Sequence, residues 1–237
     1  MIKIFTLNLW RYYDFDIRLS NIINSIQDKN PDVIFLQETQ IDEAKSPFSQ
    51  VELIKNKLVE YKYSYHSTIY LKKIQIGVTL DKPIQEGMSV LSKYPIVNFF
   101  EYYLYTEPEK EPRSIMCFDM EINDKLFKFA NIHFNNDEES AKSQLKDFLK
   151  FLTNRVEKRI MVGDFNLYGL PKYLVELGLD KDYNLSFDFK NYISYPEHGW
   201  CLDYILIPNE FKFLSVDTIE GNLSDHRGVC VIIDHSF

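Results

Sequence analysis

Cysteine is scarce in this chain: Cys117, Cys201 and Cys230 are three among 237 residues, widely spaced and odd in number. With no C-x-x-C pair among them, they suggest neither a disulfide scaffold nor a zinc knuckle, and a reducing compartment fits them best. Positive charge is also in deficit, with 27 Lys and Arg against 35 Asp and Glu and a formal net charge of −8. Duplex DNA is held without sequence preference mainly by neutralising its phosphates, so this balance argues against a broad nucleic-acid platform while leaving room for a local basic cleft. No apolar run approaches the roughly 20 residues of a membrane span. The opening Met1-Ile2-Lys3-Ile4-Phe5-Thr6-Leu7-Asn8 lacks the extended apolar core and small-residue cleavage site of a secretory leader. No repeat, low-complexity tract or Gly/Ser linker divides the sequence. The expectation is one soluble, cytoplasmic, monomeric domain over residues 1–237.

Aromatic residues are plentiful: 18 Phe and 16 Tyr, within 45% hydrophobic and 26% charged residues. That favours sheet packing over long helical bundles and supplies ample core. Residues 2–9 have the β-branched, apolar character of a buried strand. Over 17–27, Leu19, Ile22, Ile23 and Ile26 recur at helical spacing, and the pattern stops before Pro31. Residues 33–36 then form a continuous apolar run, as a central strand does, which delivers Gln37-Glu38-Thr39 at its C-terminal end. A second helix is expected over 48–59, and strands over 63–70, 88–92, 97–105, 114–122 and 126–134. Leu145, Phe148, Leu149, Leu152 and Val156 make a helical stripe over 140–156, with Ser140 as its N-cap. A short buried strand over 160–162 ends in Gly163-Asp164-Phe165-Asn166, and a last strand pair, 203–207 and 229–233, brackets a strand over 213–219.

Buried runs end in carboxylates, amides or imidazoles at five places: Asn8, Gln37-Glu38, His133, Asp164 with Asn166, and Asp225-His226. One acid at a strand end is usually a cap or a solvated turn. Five such clusters on one edge of a core would supply the hard oxygen donors that Mg²⁺ takes, together with water and phosphate oxygens.

Thr6-Leu7-Asn8, Gln37-Glu38-Thr39, Asn131-Ile132-His133-Phe134-Asn135, Gly163-Asp164-Phe165-Asn166, Leu202-Asp203-Tyr204-Ile205 and Ser224-Asp225-His226-Arg227 occur in the order seen in the endonuclease/exonuclease/phosphatase superfamily. The segment from Glu86 to Ile96 also resembles the glycine, apolar-strand, Ser-Arg/Lys segment of that group. The group includes DNase I-like nucleases, AP endonucleases, neutral sphingomyelinases and inositol polyphosphate 5-phosphatases. The resemblance spans nearly the whole chain. It implies an α/β fold, a four-layer α-β-β-α sandwich of two mixed, mostly antiparallel sheets face to face with helices outside; the pattern alone supports only alternating helices and strands.

The resemblance also implies roles. Glu38 would be the principal ligand of Mg²⁺, or of Mn²⁺ in its place, with Asn8 orienting that carboxylate or touching the metal through water. Asp203 would fix the orientation of His226. Asp164 would orient or deprotonate the attacking water, and which of Asp164 and His226 is the base stays open. Asn166 would donate its amide to a non-bridging phosphate oxygen. His133 would stabilise the pentavalent phosphorus or protonate the leaving oxygen, and Asp225 would complete a second metal position or steer His226. Arg113 either contacts the scissile phosphate or pairs with Glu109 or Glu111.

His66 and His235 read as surface or half-buried ring packing. His198 reads as a solvated loop residue on the approach to Asp203, with a place in the pocket wall as the alternative, and Trp10, Tyr12 and Tyr13 read as packing. His133 stands where AP endonucleases usually carry Tyr, and Gly199-Trp200-Cys201-Leu202 lacks the basic residues that many DNA-acting relatives place before the aspartate. The leading expectation is a Mg²⁺-dependent phosphodiesterase, nuclease-like, using in-line water attack at phosphorus. A small phosphorylated substrate or a single-stranded end is at least as well suited to it as duplex DNA. The rivals are a phosphomonoesterase acting on a small metabolite or inositol phosphate, and a catalytically dead binding module. Such a module would have lost Glu38, Asp164, Asn166, Asp203 or His226, and all five are present.

Overall fold

The structure, a computed structural model, describes residues 1–75, 78–105, 107, 110–122 and 124–235, the side chains of Ile74, Gln75, Val78 and His235 aside. The chain opens with β1 (Ile2–Asn8), α1 (Phe15–Lys29), β2 (Val33–Ile41) and α2 (Gln50–Lys55), followed by the strands β3 (Tyr63–Gln75), β4 (Val78–Ser92), β5 (Ile96–Leu104), β6 (Arg113–Ile122) and β7 (Lys125–His133). Next come α3 (Glu138–Asn154), β8 (Ile160–Asp164), α4 (Leu170–Glu176), β9 (Tyr183–Leu185), α5 (Ser186–Phe189), β10 (Asp203–Pro208), β11 (Phe211–Ile219) and β12 (Gly228–His235). Two six-stranded sheets result, ordered β11-β12-β1-β2-β4-β3 and β5-β6-β7-β8-β10-β9. Each is antiparallel except for one pair near its middle, β1 with β2 and β7 with β8.

Side-chain alternation assigns the layers. Along β1 and β2, Ile2, Ile4, Val33 and Phe35 join the large core between the sheets, while Phe5, Leu7, Ile34 and Leu36 turn outward onto Ile22, Ile23 and Ile26 of α1 and Val51 and Ile54 of α2. On the other side Ala141, Leu145, Phe148 and Leu152 of α3 cover the second sheet. This is the four-layer sandwich. No described helix is long and apolar enough to cross a membrane.

Several boundaries differ from the sequence reading. The second helix is only Gln50–Lys55, opened by a capping box in which Ser49 and Glu52 satisfy each other's backbone. The N-cap of α3 is Asp137, whose carboxylate accepts from the Ser140 backbone, so Ser140 lies inside the first turn. The strands expected over 63–70 and 88–92 are parts of one long hairpin, whose register shifts at Thr68–Tyr70 and again at Lys72–Ile74. The expected last strand pair is not a pair: β10 lies between β8 and β9, whereas β12 lies in the other sheet between β11 and β1. The short elements α4, β9 and α5 had no counterpart in the sequence reading, since runs this brief carry little periodicity. His66 is half-buried as expected but polar in its contacts, its Nδ1 lying 2.8 Å from Ser89 Oγ and 3.2 Å from Thr39 Oγ1. The His235 side chain lies outside the described residues.

A buried polar cluster centred on Asn131 crosses the largely apolar gap between the sheets. Gln37 Nε2 of β2 donates to Asn131 Oδ1 of β7 at 2.7 Å and lies 3.1 Å from Thr6 Oγ1, and all three residues are buried. The Asn131 amide in turn donates to the carbonyls of Leu36 and Ser89, which face each other just before the β2–β4 register shifts. Asn131 thus satisfies acceptors at the break in the ladder. Asn131→Leu should remove these bonds and leave the Gln37 amide only its bond to Thr6, at about 1–3 kcal/mol for each group left unpaired. The expected outcome is a clearly lower urea midpoint in equilibrium unfolding, and an unchanged midpoint would remove this tie from the account.

Candidate active site

Both parallel pairs send their C-terminal ends to one edge. Asn8 is in register with Gln37 at the end of β1 and β2, and His133 with Asp164 at the end of β7 and β8. Because β10 runs antiparallel to β8, its first residue, Asp203, lies opposite Asp164, and the segment entering β12 brings Asp225 and His226 to the same edge. Glu38 needs a further device. Between Leu36 and Thr39 the β2–β4 register shifts, and Glu38 sits in this bulge with φ 51°, which turns its side chain out of the normal alternation. Beneath the site a Cβ on Gly163, φ 135°, would lie 2.2 Å from the Ile132 carbonyl oxygen and 2.8 Å from Gln37 Nε2, so only glycine lets these strands approach.

Asn8, Glu38, Arg113, His133, Asp164, Asn166, Asp225 and His226 line one cleft of about 680 Å³, with Asp203 buried behind His226. His133 Nε2 lies 3.7 Å from Glu38 Oε1 and 3.9 Å from Asp164 Oδ2. Asn8 Nδ2 donates to Asp164 Oδ2 at 3.1 Å. His226 Nδ1 donates to Asp203 Oδ2 at 2.7 Å, which leaves Nε2 facing Asp164 Oδ2 at 3.9 Å. Asn166 uses its backbone N–H on Asp164 Oδ1 and one amide hydrogen on the Phe134 carbonyl. Arg113 pairs with Glu111, its Nη1 lying 3.3 Å from that carboxylate, and it also lines the cleft; Glu109 falls outside the described residues.

Burial sets the protonation states. It pushes the Glu38 carboxyl above its ordinary range against the pull of Arg11, with Glu86 adding to the push. It also holds the His133 imidazole well below its ordinary value, helped by the nearby Arg113, His226 and Arg11 charges, so this ring is neutral. For His226 burial again opposes charge, but the Asp203, Asp164 and Asp225 carboxylates outweigh it and raise the imidazole to about 10. Asp164 is raised to about 7 by burial and by the neighbouring Asp203.

Ligand atoms of Asp164, Asp203 and His226 lie within 4.8 Å of one another. One carboxylate oxygen of this group, Asp203 Oδ1, is buried without a hydrogen-bond partner. Together with Glu38, Asn8 and Asp225 on the same cleft, these groups make an oxygen-rich surround whose donors fit a hard divalent cation.

A profile of the endonuclease/exonuclease/phosphatase family matches residues 5–226. The chain belongs to this family. Members of the endonuclease/exonuclease/phosphatase family are phosphoester hydrolases, and this chain is an enzyme of that kind. Among solved structures it is similar to a family protein from Leptotrichia buccalis C-1013-b, with a TM-score of 0.77, 20% identity, and coverage of 99% of this chain and 100% of that one. The human Nocturnin catalytic domain gives 0.72 at 17% identity, covering 99% and 94%, and sphingomyelinase C from Streptomyces griseocarneus gives 0.66 at 18%, covering 97% and 98%. These likenesses show the shared fold. No curated protein sequence matches.

The sequence did not point to several residues in and behind the endonuclease/exonuclease/phosphatase cleft. Arg11 Nε lies 2.9 Å from Glu86 and 3.5 Å from Glu38, and its Nη2 reaches Glu111 at 3.3 Å. Its signal was a cation three residues beyond Asn8, overshadowed by the aromatics around it; of those, Trp10 stacks on Tyr13 and Tyr12 packs edge-on to Phe15. Arg18, buried in α1, donates to the carbonyls of Tyr13 and Leu223 and so anchors the segment that carries Asp225 and His226. Tyr195 packs on His226 with ring centroids 4.9 Å apart. His198 is an exposed loop residue as expected, and it also takes the alternative place in the cleft wall, between Tyr195 and Trp200.

The raised Asp164 carboxyl ties stability to pH. Its folded value exceeds the unfolded one, so the folded protein binds the extra proton between the two, and the group's contribution is greatest in acid and lost as pH rises through about 7. In EDTA, Asp164→Asn should therefore gain thermal stability over wild type toward pH 8, with the gap narrowing toward pH 5. Melting curves across that range check this, and a gap that widens toward acid would contradict it.

Proposed function

We propose that the chain is a Mg²⁺-dependent phosphodiesterase that hydrolyses its substrate by in-line attack of water at phosphorus. The observation that carries the reading is the convergence of Glu38, His133, Asp164 and the Asp203–His226 pair, contributed by both sheets, in one cleft. Glu38, with Asn8 and Asp225, would hold the Mg²⁺, or Mn²⁺ in its place, which would supply Lewis acidity toward the phosphoryl group.

The chain's own residues account for the rest. Asp203 holds the His226 ring so that Nε2 points toward Asp164, and this pair shares the proton removed from the attacking water. Asn166 keeps one amide hydrogen on Phe134 and offers the other to a non-bridging oxygen as charge builds there. His133, neutral and enclosed, donates a hydrogen bond to the phosphoryl group without adding fixed charge beside Glu38. Arg113, only partly satisfied by Glu111, lends its guanidinium fork to the same phosphate.

Support for a diester over a terminal phosphate comes from the lining of the cleft, which includes Tyr195, His198 and Trp200 beside the reacting groups and so offers surface to a second substituent on the phosphorus. The test is a panel of bis(p-nitrophenyl) phosphate, single-stranded and duplex DNA, RNA, head-group diesters and inositol phosphates, each with Mg²⁺, Mn²⁺ and EDTA. Diester cleavage that needs metal and vanishes in Glu38→Gln is expected, and failure to cleave any phosphoester would overturn the proposal. His226→Ala should lower kcat by roughly 10²–10⁴-fold while the far-ultraviolet circular dichroism stays that of wild type. Turnover at the wild-type rate in this variant would remove His226 from the reaction.

A further inference from the structure

Beyond the catalytic cleft lies a second cavity of about 660 Å³, walled by Tyr168, Phe187, Tyr192 and Cys201 and edged by Lys172, Lys190 and Arg227. No carboxylate is among its described lining residues, in a chain whose net charge is −8. The nearest acidic partners, Glu176 at 3.9 Å from Lys172, Asp217 at 3.7 Å from Lys190 and Glu220 at 2.9 Å from Arg227, stand outside it.

The two cavities share a wall. An aromatic series runs from His226 to Tyr195 at 4.9 Å, to His198 at 5.5 Å, to Trp200 at 4.7 Å and to Tyr168 at 5.5 Å, and Tyr168 and Trp200 are 62% and 40% exposed. Trp200 faces the catalytic cleft, whereas its neighbours Gly199 and Cys201 face the second cavity; His226 and Arg227 divide in the same way. The Tyr192 hydroxyl, in the cavity wall, donates to the backbone carbonyl of Asp203. A substrate whose phosphorus sits beside His226 therefore has a path along exposed rings to a cationic pocket.

We propose that this cavity is a second substrate subsite that takes a nucleotide adjoining the scissile phosphodiester, its base against the aromatic wall and its phosphate among Lys172, Lys190 and Arg227. Rings interleaved with cations suit single-stranded nucleic acid, because every base offers a face for stacking and every residue of the strand carries a charge. The inference rests on the phosphodiesterase reading and assigns it a substrate class.

The test compares wild type with the double variant Lys172→Glu, Lys190→Glu, both exposed residues outside the catalytic cleft. A control carries the same charge change at Lys57 and Lys62, exposed residues that line neither cavity. The expected result is a KM at least about tenfold higher on a fluorescein-labelled single-stranded tetranucleotide, with a shallower salt dependence. Hydrolysis of bis(p-nitrophenyl) phosphate, too small to span the wall, should be unchanged, and the control should match wild type on both. Equal KM values, or the same loss on both substrates or in the control, would overturn the subsite. If the small diester is cleaved and the tetranucleotide is neither cleaved nor bound, the subsite fails while the phosphodiesterase stands. Fluorescence anisotropy of the tetranucleotide on Glu38→Gln, with and without the two cavity substitutions, judges the cavity separately: binding weakened by them supports it, and binding indifferent to them rejects it even if no substrate is turned over.

Discussion

The active cleft depends on two sheets being held in fixed register, and central to this is the buried hydrogen bond between Gln37 and Asn131, reinforced by that from Asn8 to Asp164. Apolar side chains between sheets give adhesion without direction, and neighbouring registers of such an interface differ little in buried area. A donor and acceptor enclosed on all sides have one satisfactory arrangement, since a shift of a few ångströms leaves both unpaired. Gln37 immediately precedes Glu38, and Asn131 is two residues before His133 on the same face of β7. The tie therefore fixes the chain at the positions from which groups of the two sheets meet.

Above that tie, the cleft concentrates charges that water would otherwise separate. Glu38, Asp164 and Asp203 are each enclosed, and the protein balances them with Arg11, with an imidazole raised to about 10 at His226, and with amides from Asn8 and Asn166. His133 alone is held uncharged in their midst. Two histidines a few ångströms from one aspartate thus have opposite characters, and the difference lies in what stands behind each ring. Asp203 backs His226, whereas no carboxylate within hydrogen-bonding distance backs His133, and Arg113 and Arg11 act on it with like charge.

The strand ends were legible in the sequence because an apolar run that stops on a polar residue carries both a length and a direction. Asn8, Glu38, His133, Asp164 and His226 were each found that way, and the structure brings them to one edge. What the pattern could not supply was sheet membership: β10 and β12 read as partners, yet the polypeptide crosses from one sheet to the other between them. Nor could it reveal Arg11 and Arg18, since a cation near an acid is common in any sequence and acquires meaning only when burial removes the solvent between them. The short elements from 170 to 189 escaped because each is too brief to show a repeating face, although Leu170, Tyr173, Leu174, Tyr183 and Leu185 join the main core.

The bulge at Glu38 separates two requirements that a regular strand would bind together. In an unbroken pleat, the orientation of every side chain follows from that of its neighbours, so adjusting the core would turn the carboxylate as well. The interruption works as a swivel: Val33 to Leu36 answer to the interior, while the residue beyond takes its direction from its own backbone torsions. Drift in the hydrophobic half of β2 is thereby insulated from the geometry of the chemistry.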